Sequence, residues 1–249
     1  MARFDGKVVL ITGGTRGIGL AFVHAFATAG ATVAWTGSTA KSVEAARSDM
    51  PAAAANSGLA ADLGDPDAPV AMVSTVVSDH GRLDVLINNA GVTDASSDPW
   101  DSTVEEWDRI MAADLRAPFF AARAAADAMR TVGGGSIIML GSIAGQIGGV
   151  ATGPAYAACK AGIEGLTRSL ARRFAGLGIR VNCISPSGVE TDMVAAWPAE
   201  VRARVQAMTP LGRLGRPDEV TEAALYLAGE GSSYVTGQTI NVNGGAYMG

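Results

Sequence analysis

The feature that most constrains the fold is an alternation of short apolar runs with longer amphipathic stretches along the whole chain. The runs are apolar throughout, which is typical of strands buried on both faces of a parallel sheet. We predict strands over residues 7–12, 31–36, 58–61, 84–88, 136–141, 179–185 and 239–242. We predict helices over residues 18–29, 41–50, 66–80, 103–130, 154–177 and 217–228. The fold class is therefore α/β, a doubly wound parallel sheet of about seven strands in a three-layer αβα arrangement of the Rossmann type.

Length and composition indicate one domain over residues 1–249, because no linker, low-complexity segment or further repeat interrupts the alternation. The formal net charge of −5 disfavours a nucleic-acid partner. No apolar run reaches the roughly 18 residues of a membrane span, and the first residues contain no secretory h-region, so we expect neither a membrane span nor a leader. Cys159 and Cys183 match neither a metal spacing nor a disulfide framework. We expect a cytoplasmic protein with reduced thiols, no metal and no membrane or nucleic-acid partner.

A glycine-rich turn follows the first predicted strand and opens the first predicted helix. Its glycines allow a tight turn, a close backbone approach and close helix packing, and the helix N-terminus attracts a pyrophosphate. An ordinary strand-to-helix turn is the alternative. We expect the following residues of this turn to bind a dinucleotide: Gly13, Thr15, Arg16, Gly17, Ile18 and Gly19.

The end of the second predicted strand bears on which dinucleotide binds. A cofactor without a 2′-phosphate is usually met there by an acidic side chain, but this chain has Gly37. Ser38 and Thr39 can donate hydrogen bonds to a phosphate, and Arg16 and Lys41 supply positive charge. The sequence therefore favours NADP(H) over NAD(H).

Asp62 and Leu63 follow the third predicted strand. The carboxylate of Asp62 could accept a hydrogen bond from an adenine amino group, or it could cap the turn that leads into the next helix. The sequence leaves both alternatives open. We include both residues among the expected cofactor contacts.

Tyr156 and Lys160 are four positions apart on a predicted helix, so their side chains share one face and can reach one ligand. A fixed positive charge beside a phenol favours the anionic form and makes the phenol proton easier to give and take. Such a pair also arises by chance on surface helices. Its meaning therefore depends on the motifs that accompany it.

Four motifs in order resemble the compact, single-domain branch of the short-chain dehydrogenase/reductase family. They are the turn at 12–19, Asn88-Asn89-Ala90-Gly91, Ser142, and Tyr156 with Lys160. The resemblance runs from about residue 5 to residue 245, and within the family the chain is similar to 3-oxoacyl-thioester (acyl-carrier-protein) reductases. It implies hydride transfer between a nicotinamide cofactor and a ketone or secondary alcohol.

The resemblance also implies roles for individual residues. Tyr156 would be the general acid, Lys160 would hold the nicotinamide ribose and favour the tyrosinate, and Ser142 would hydrogen-bond the substrate oxygen. Further cofactor contacts would come from Asn89, Gly91, Val189 and Thr191.

Two positions depart from the family pattern. Asp114 stands where the family commonly has an asparagine that belongs to a proton relay, seven residues after Trp107. We expect Asp114 to take part in catalysis, with activity retained and the pH profile altered. Ser187 separates Pro186 from Gly188 where the family has Pro-Gly, which makes the backbone of the nicotinamide pocket less free.

Two segments are expected to select the substrate. The loop at 143–154 is glycine-rich, and a lid at about 187–217 carries Met193, Val194, Trp197 and Met208. These apolar side chains predict an apolar substrate, unless they only pack the lid onto the sheet.

The predicted helices at 103–130 and 154–177 are rich in small residues and poor in charge. We expect them to form the interface of a homo-oligomer, a tetramer or a dimer, although alanine helix propensity alone is an alternative.

The leading hypothesis for function is an NADP(H)-dependent carbonyl reductase or alcohol dehydrogenase acting on a small-molecule ketone or alcohol, with a 3-oxoacyl thioester as one candidate. The alternatives are an NAD-dependent sugar or secondary-alcohol dehydrogenase and a non-catalytic dinucleotide-binding sensor or scaffold. Cofactor preference separates the first two. Loss of turnover in Tyr156→Phe separates both enzymes from the scaffold.

Overall fold

A seven-stranded parallel sheet forms the centre of the molecule. The computed structural model describes residues 3–94, 96–149 and 151–249, without the side chain of Met193, so that lid residue lies outside the described set. The strands are β1 (Val8–Ile11), β2 (Thr32–Gly37), β3 (Gly58–Ala60), β4 (Val85–Asn88), β5 (Gly135–Leu140), β6 (Ile179–Pro186) and β7 (Thr239–Val242). Their order across the sheet is β3-β2-β1-β4-β5-β6-β7. The predicted doubly wound α/β fold is confirmed.

Helices cover both faces of this sheet. In the described part of the chain they are α1 (Gly17–Thr28), α2 (Ala40–Ala46), α3 (Ala68–His80), α4 (Val104–Met111), α5 (Ala117–Met129), α6 (Ala144–Ile147), α7 (Pro154–Phe174), α8 (Asp192–Ala195), α9 (Ala199–Met208) and α10 (Pro217–Ala228). Short 3₁₀ turns lie at Arg47–Asp49, Pro99–Asp101, Arg130–Val132, Ala175–Leu177 and Glu230–Ser232. The predicted helix over 103–130 agrees with an unbroken helical segment from Val104 to Met129, but a π-helical turn at Ala112–Arg116, which the sequence did not predict, lies between α4 and α5.

The strand order reverses between β1 and β4. Ile11 at the end of β1 pairs with Trp35 on β2 and with Ile87 on β4, so the chain moves outward to β3 and then returns to the other side of β1. Parallel sheets of this kind open a crevice at the carboxyl ends of the strands where the order reverses. The segments that follow β1 and β4 therefore meet at that crevice.

Each central strand contributes to two cores. In β1, Val8 and Leu10 belong to the apolar cluster beneath α3, α5 and α7. Val9 and Ile11 belong to the cluster beneath α1 and α10. Because successive strand residues face opposite sides, a strand covered on both sides must be apolar throughout, and the sequence shows such runs.

The alanine-rich pattern of α5 is explained partly by this core. Ala121, Ala122, Ala125 and Ala126 are buried in the same cluster as Met72 and other apolar residues of α3. Small side chains there let α5 approach α3 and the sheet closely. An interface role is therefore not needed to account for that face of the helix.

Asp84 joins the starts of β1 and β4. Its carboxylate accepts hydrogen bonds from the Val8 N–H at 3.0 Å and from Arg82 at 2.7 and 2.8 Å, and it pairs with Lys7 at 3.1 Å. Burial disfavours the charged carboxylate, but the hydrogen bonds from Arg82, Val8 and Lys7 outweigh burial and hold the pKa of Asp84 below its ordinary value. This cluster fixes the central strand pair at the edge opposite the crevice.

Both cysteines are free and buried. Burial raises the pKa of the Cys159 thiol and that of the Cys183 thiol to about 12. Among the described residues no cluster of three or more His, Cys, Asp or Glu side chains is placed to hold a metal. No helix in the described ranges is long and apolar enough to cross a membrane.

Candidate active site

The glycine-rich turn between β1 and α1 has a backbone that only glycine suits. Gly13 and Gly17 have positive φ angles of 67° and 56°. A side chain at Gly19 would collide with the carbonyl oxygen of Gly13 and would lie 2.6 Å from Nδ2 of Asn89. The turn therefore leaves open backbone at the N-terminus of α1, a cradle that suits a pyrophosphate.

Asn88 and Asn89, at and just after the end of β4, hold the crevice in shape. Nδ2 of Asn89 donates to the carbonyl oxygens of Thr12 and Gly13 at 2.9 and 3.1 Å, which fixes the glycine turn from the opposite side of the reversal point. Nδ2 of Asn88 donates to the Pro118 carbonyl at 3.1 Å and so ties β4 to α5. The Asn89 amide thus supports the cradle from below.

The nucleotide end of the cleft has no room for an acidic side chain at Gly37. A Cβ there would lie 2.7 Å from Oγ of Ser42 and 2.8 Å from Cγ2 of Thr15. Arg16 lines the cleft, whereas Lys41 is exposed and is not among the lining residues, which corrects the expectation that Lys41 adds charge there.

Asp62 caps the turn, and its contact with an adenine amino group stays a prediction. Its Oδ1 accepts from the Gly64 N–H at 2.9 Å, so it caps the turn, and it also lines the cleft.

One cleft of about 410 Å³ runs from this nucleotide end to the lid. It brings together Ser142 and the full set of expected cofactor contacts: Gly13, Thr15, Arg16, Gly17, Ile18, Gly19, Ser38, Asp62, Leu63, Asn89, Gly91, Tyr156, Lys160, Val189 and Thr191. Asp114 is not among the lining residues, because it lies fully buried behind the cleft wall.

Ser142, Tyr156 and Lys160 meet near the middle of this cleft. Ser142 follows β5, and its Oγ accepts from the Ala144 N–H at 3.1 Å. Lys160 is buried on α7, and its Nζ lies 5.2 Å from the centre of the Tyr156 ring and 3.2 Å from the Leu140 carbonyl oxygen. The Tyr156 hydroxyl has no hydrogen-bond partner among the described residues, so it is available to a ligand in the cleft.

Asp114 contacts Lys160 from behind. Its Oδ2 lies 3.2 Å from Nζ of Lys160, and its Oδ1 accepts from the Val92 N–H at 2.8 Å. The side chains are 0% and 5% exposed, so the ion pair is screened little by water. A Cβ at Gly91 would lie 2.7 Å from the same Oδ2, which explains why glycine occupies position 91.

Burial and attraction act on this pair in opposite ways. Burial lowers the pKa of Lys160, but the attraction of the Asp114 carboxylate, with a further contribution from Tyr156, outweighs burial and raises the pKa above its ordinary value. Burial also raises the pKa of Asp114, and the attraction of Lys160 and the Val92 hydrogen bond offset it only in part. Both groups therefore hold their protons more firmly than they would in water.

Asp94 is a functional candidate that the sequence analysis missed. Its Oδ2 accepts from the backbone N–H of Tyr156 at 3.1 Å, so a carboxylate from the loop after β4 caps the first turn of α7. A Cβ at Gly153 would overlap the Asp94 carboxyl group, and Gly153 has ordinary extended dihedrals of −80° and 176°. The glycine is therefore needed for the approach of Asp94, and Asp94 positions the helix that carries Tyr156 and Lys160.

The lid is anchored at its base. Val189 forms a parallel bridge with Gly215, and the Glu190 N–H donates to the Gly215 carbonyl at 2.9 Å. Ser187 donates to the Asn243 carbonyl at 3.3 Å. No non-glycine residue in the described ranges has a positive φ, so serine at 187 is accommodated without backbone strain.

A doubly wound sheet with a glycine cradle at the reversal point, and with a serine, a tyrosine and a lysine farther along the same cleft, defines an oxidoreductase that uses a nicotinamide dinucleotide. A family model described as enoyl-(acyl carrier protein) reductase matches residues 13–247. The chain belongs to the short-chain dehydrogenase/reductase family and acts on CH–OH or C=O groups.

Known proteins similar to this chain over nearly its whole length include two enzymes and a crystal structure. The 3-oxoacyl-[acyl-carrier-protein] reductase FabG of Escherichia coli (strain K12) is 37% identical over 246 residues, which are 99% of each chain. A 3alpha-hydroxysteroid dehydrogenase of Mediterraneibacter gnavus is 39% identical over 243 residues, 96% of each chain. A crystal structure from Sinorhizobium meliloti 1021, described as a short-chain alcohol dehydrogenase, has a TM-score of 0.90 at 33% identity and 98% coverage of each chain.

Proposed function

We propose that this protein is an NADP(H)-dependent carbonyl reductase that reduces a ketone to a secondary alcohol and can run in reverse, with a 3-oxoacyl thioester as one candidate substrate. The observation that carries the proposal is the placement of Ser142, Tyr156 and Lys160 on one cleft with the glycine cradle. The resemblance to FabG supports the thioester candidate, since that protein is named as a 3-oxoacyl-carrier-protein reductase.

The residues at the nucleotide end support NADP(H). Gly37 leaves no carboxylate to repel a 2′-phosphate, and Ser38 supplies a hydroxyl beside it. Arg16 is exposed, lines the cleft and has no ion-pair partner among the described residues, so its guanidinium is available to a phosphate. Titration with NADPH and NADH, followed by fluorescence, tests this preference. Tighter binding of NADH would favour the alternative of an NAD-dependent sugar or secondary-alcohol dehydrogenase.

The protein's own groups supply the proton and the polarising contact. When bound, the nicotinamide donates or accepts the hydride. Tyr156 gives its hydroxyl proton to the carbonyl oxygen, and Ser142 donates a hydrogen bond to that oxygen. Lys160 favours the tyrosinate that remains by its charge, and we propose that it also binds the ribose hydroxyls. Asp114 lies on the side of Lys160 away from the cleft and partly neutralises the lysine charge, without contacting the substrate.

Replacing Tyr156 by phenylalanine tests the mechanism. We expect Tyr156→Phe to keep nucleotide affinity and to lower kcat for a ketone panel by at least about 100-fold, which is the range of a general acid. Tyr226→Phe is the matched control, because Tyr226 is an exposed tyrosine of α10 outside the cleft. Unchanged turnover in Tyr156→Phe would remove the proposed mechanism and restore the scaffold hypothesis.

We also propose a cytoplasmic homo-oligomer, a tetramer or a dimer, formed through the segments at 103–130 and 154–177. Apolar side chains at the start of the first segment support this, since Val104 is 71% exposed and Trp107 is 41% exposed. Light scattering on the purified protein measures the mass directly. A monomer at micromolar concentration would contradict the proposal.

A further inference from the structure

The part of the cleft beyond Ser142 is almost entirely uncharged. We call it the substrate arm, and it lies between the loop around α6 and the lid helices. It is lined by Ile147, Ala151, Thr152, Trp197, Val205 and Met208. Thr152 is the polar member of this group, and its Oγ1 is buried without a hydrogen-bond partner among the described residues. The arm therefore offers almost only apolar surface to a ligand.

Charged side chains reach the cleft at only four of its described lining positions, Arg16, Asp62, Lys160 and Asp192. Arg16 belongs to the glycine cradle and Asp62 follows β3, so both lie at the nucleotide end. Asp192 is an anion at the start of α8. Lys160 is the remaining cation, and Asp114 lies 3.2 Å from its ammonium group. The described residues that line the arm itself therefore include no cation.

The charges just behind the wall do not alter this balance. The Asp94 carboxylate lies 3.1 Å from the backbone N–H of the proposed proton donor, on the same helix as Lys160. Arg109 is a nearby cation, but it pairs with Glu106 at 3.7 Å. With these groups ionised, the carboxylates of Asp94, Asp114 and Glu106 exceed the cations Lys160 and Arg109 by one charge. The groups behind this part of the wall therefore offer an anion no net positive charge.

We propose that the substrate arm selects neutral, apolar ketones and alcohols and excludes substrates that carry a free carboxylate. A carboxylate in this arm would lose its water without gaining a cation, which is costly. A neutral ester or amide group has a much smaller cost of desolvation than a carboxylate. This inference rests on the proposed carbonyl reductase function and names its substrate class.

A matched set of three ketones tests the proposal. The set is 4-oxocyclohexanecarboxylate, its methyl ester and its primary amide, each assayed with NADPH at pH 7.5, where the acid is ionised. We expect kcat/KM for the ester and the amide to exceed that for the acid by at least about 100-fold, the discrimination that an unpaired, desolvated charge produces. Equal or faster turnover of the acid would overturn the proposal and leave the reductase function intact.

Measuring the binding of the three ketones distinguishes an error in the proposed substrate class from an error in the proposed reductase function. If none of the three ketones is turned over, each is titrated into the protein in the presence of NADP+, and the affinities measured by calorimetry test whether the arm prefers neutral ligands. Tighter binding of the ester and the amide than of the acid supports a neutral arm. Equal or tighter binding of the acid overturns it, whatever becomes of the proposed reaction.

A variant that adds a cation to the arm separates the effect of charge on substrate selection from the effect of side-chain size. Met208 lines the arm and is 42% exposed on α9, so a longer polar side chain there can reach water without unfolding the lid. We expect Met208→Arg to raise the acid-to-ester ratio of kcat/KM by at least about tenfold. Met208→Gln, the uncharged control, should keep the ratio of the unaltered enzyme. An unchanged ratio in Met208→Arg would mean that charge does not select the substrate.

Discussion

Replacing Asp114 by asparagine removes the negative charge behind the proposed catalytic lysine and leaves the side-chain shape almost unchanged. The carboxylate oxygen and the Lys160 ammonium are 3.2 Å apart and nearly inaccessible to water. Two unit charges at that distance attract by about 5 kcal/mol at an effective dielectric constant of roughly 20. The cost of burying both charges offsets much of this attraction, so the pair adds little to the stability of the fold. Its main effect is to reduce the net positive charge that acts on groups in the cleft.

Without Asp114, the positive charge of Lys160 acts on Tyr156 uncompensated. The attraction of Asp114 then no longer offsets burial, which is the largest influence on Lys160 and lowers its pKa, so the pKa of Lys160 should fall from its raised value. Where the ammonium is charged, it stabilises the negative charge that transfer of the phenol proton creates more strongly than before, by an amount on the order of 1.4 kcal/mol, which corresponds to one pH unit. We expect the rising limb of the pH profile for alcohol oxidation to move about one pH unit towards acid in Asp114→Asn.

The assay is initial-rate oxidation of a secondary alcohol with NADP+ between pH 5.5 and 9.5. Asp127→Asn is the control, because Asp127 is a surface carboxylate, 71% exposed, that pairs with Arg130. Asp114→Ala also removes the acceptor for the Val92 N–H, and it should lower the free energy of unfolding by about 3–5 kcal/mol. Superimposable pH profiles for Asp114→Asn and the unaltered enzyme would refute the role assigned to this pair.

Three further predictions follow from contacts outside the ion pair. Asp94→Ala should lower the free energy of unfolding by about 1 kcal/mol and should reduce kcat more than it changes KM. Asp94→Asn should restore part of the lost kcat, and a change in KM alone would argue against a role of Asp94 in positioning Tyr156. Asp84→Asn should cost about 2 kcal/mol at pH 7 in urea unfolding. Because the pKa of Asp84 is depressed in the folded protein, its contribution is complete above its ordinary value of 3.8 and is lost as the pH falls below it, so the two unfolding curves should converge in acid. Gly19→Ala should weaken NADPH binding at least about tenfold while circular dichroism stays unchanged, whereas Gly165→Ala, with nothing within 4 Å of the added carbon, should bind normally.

The sequence predicts the sheet well because burial on both faces leaves a distinct pattern. The predicted strand at 239–242 coincides with β7, and the other six agree with their strands to within two residues at each end. The doubly wound arrangement then follows from the alternation itself. No property beyond local hydrophobicity is needed for that part of the fold.

The lid and the long helix are predicted less well. The π-helical turn at Ala112–Arg116 has no local sequence signal, since its alanines suit an α-helix equally well, and it is stabilised by contacts of Asp114 with Lys160 and Val92. The lid at 187–217 contains α8 and α9, for which the sequence predicts no helices; α9 has no fully buried residue to mark a helical face. Both failures concern segments whose conformation depends on distant partners.

In the candidate site, the sequence points to the residues proposed to touch a ligand more directly than to the residues that position them. The motifs point to Ser142, Tyr156 and Lys160 directly. Asp94 lacks such a signal, because its partner is a backbone N–H 62 positions away in the sequence. The one available indication was Gly153, a glycine directly before the proline that starts α7.

The π-helical turn makes the charge of the site depend on chain length as well as on residue type. Such a turn holds one more residue than the α-helical turn it replaces. Deleting one residue among 112–116 would let α4 and α5 merge into one regular helix, and residues outside the turn would keep their faces, because the wide turn already accommodates the extra residue. Asp114 lies inside that turn, so its position relative to Lys160 would change although both residues were still present. Relatives that differ by a single-residue deletion at this point can therefore carry the same amino acids and a different proton chemistry.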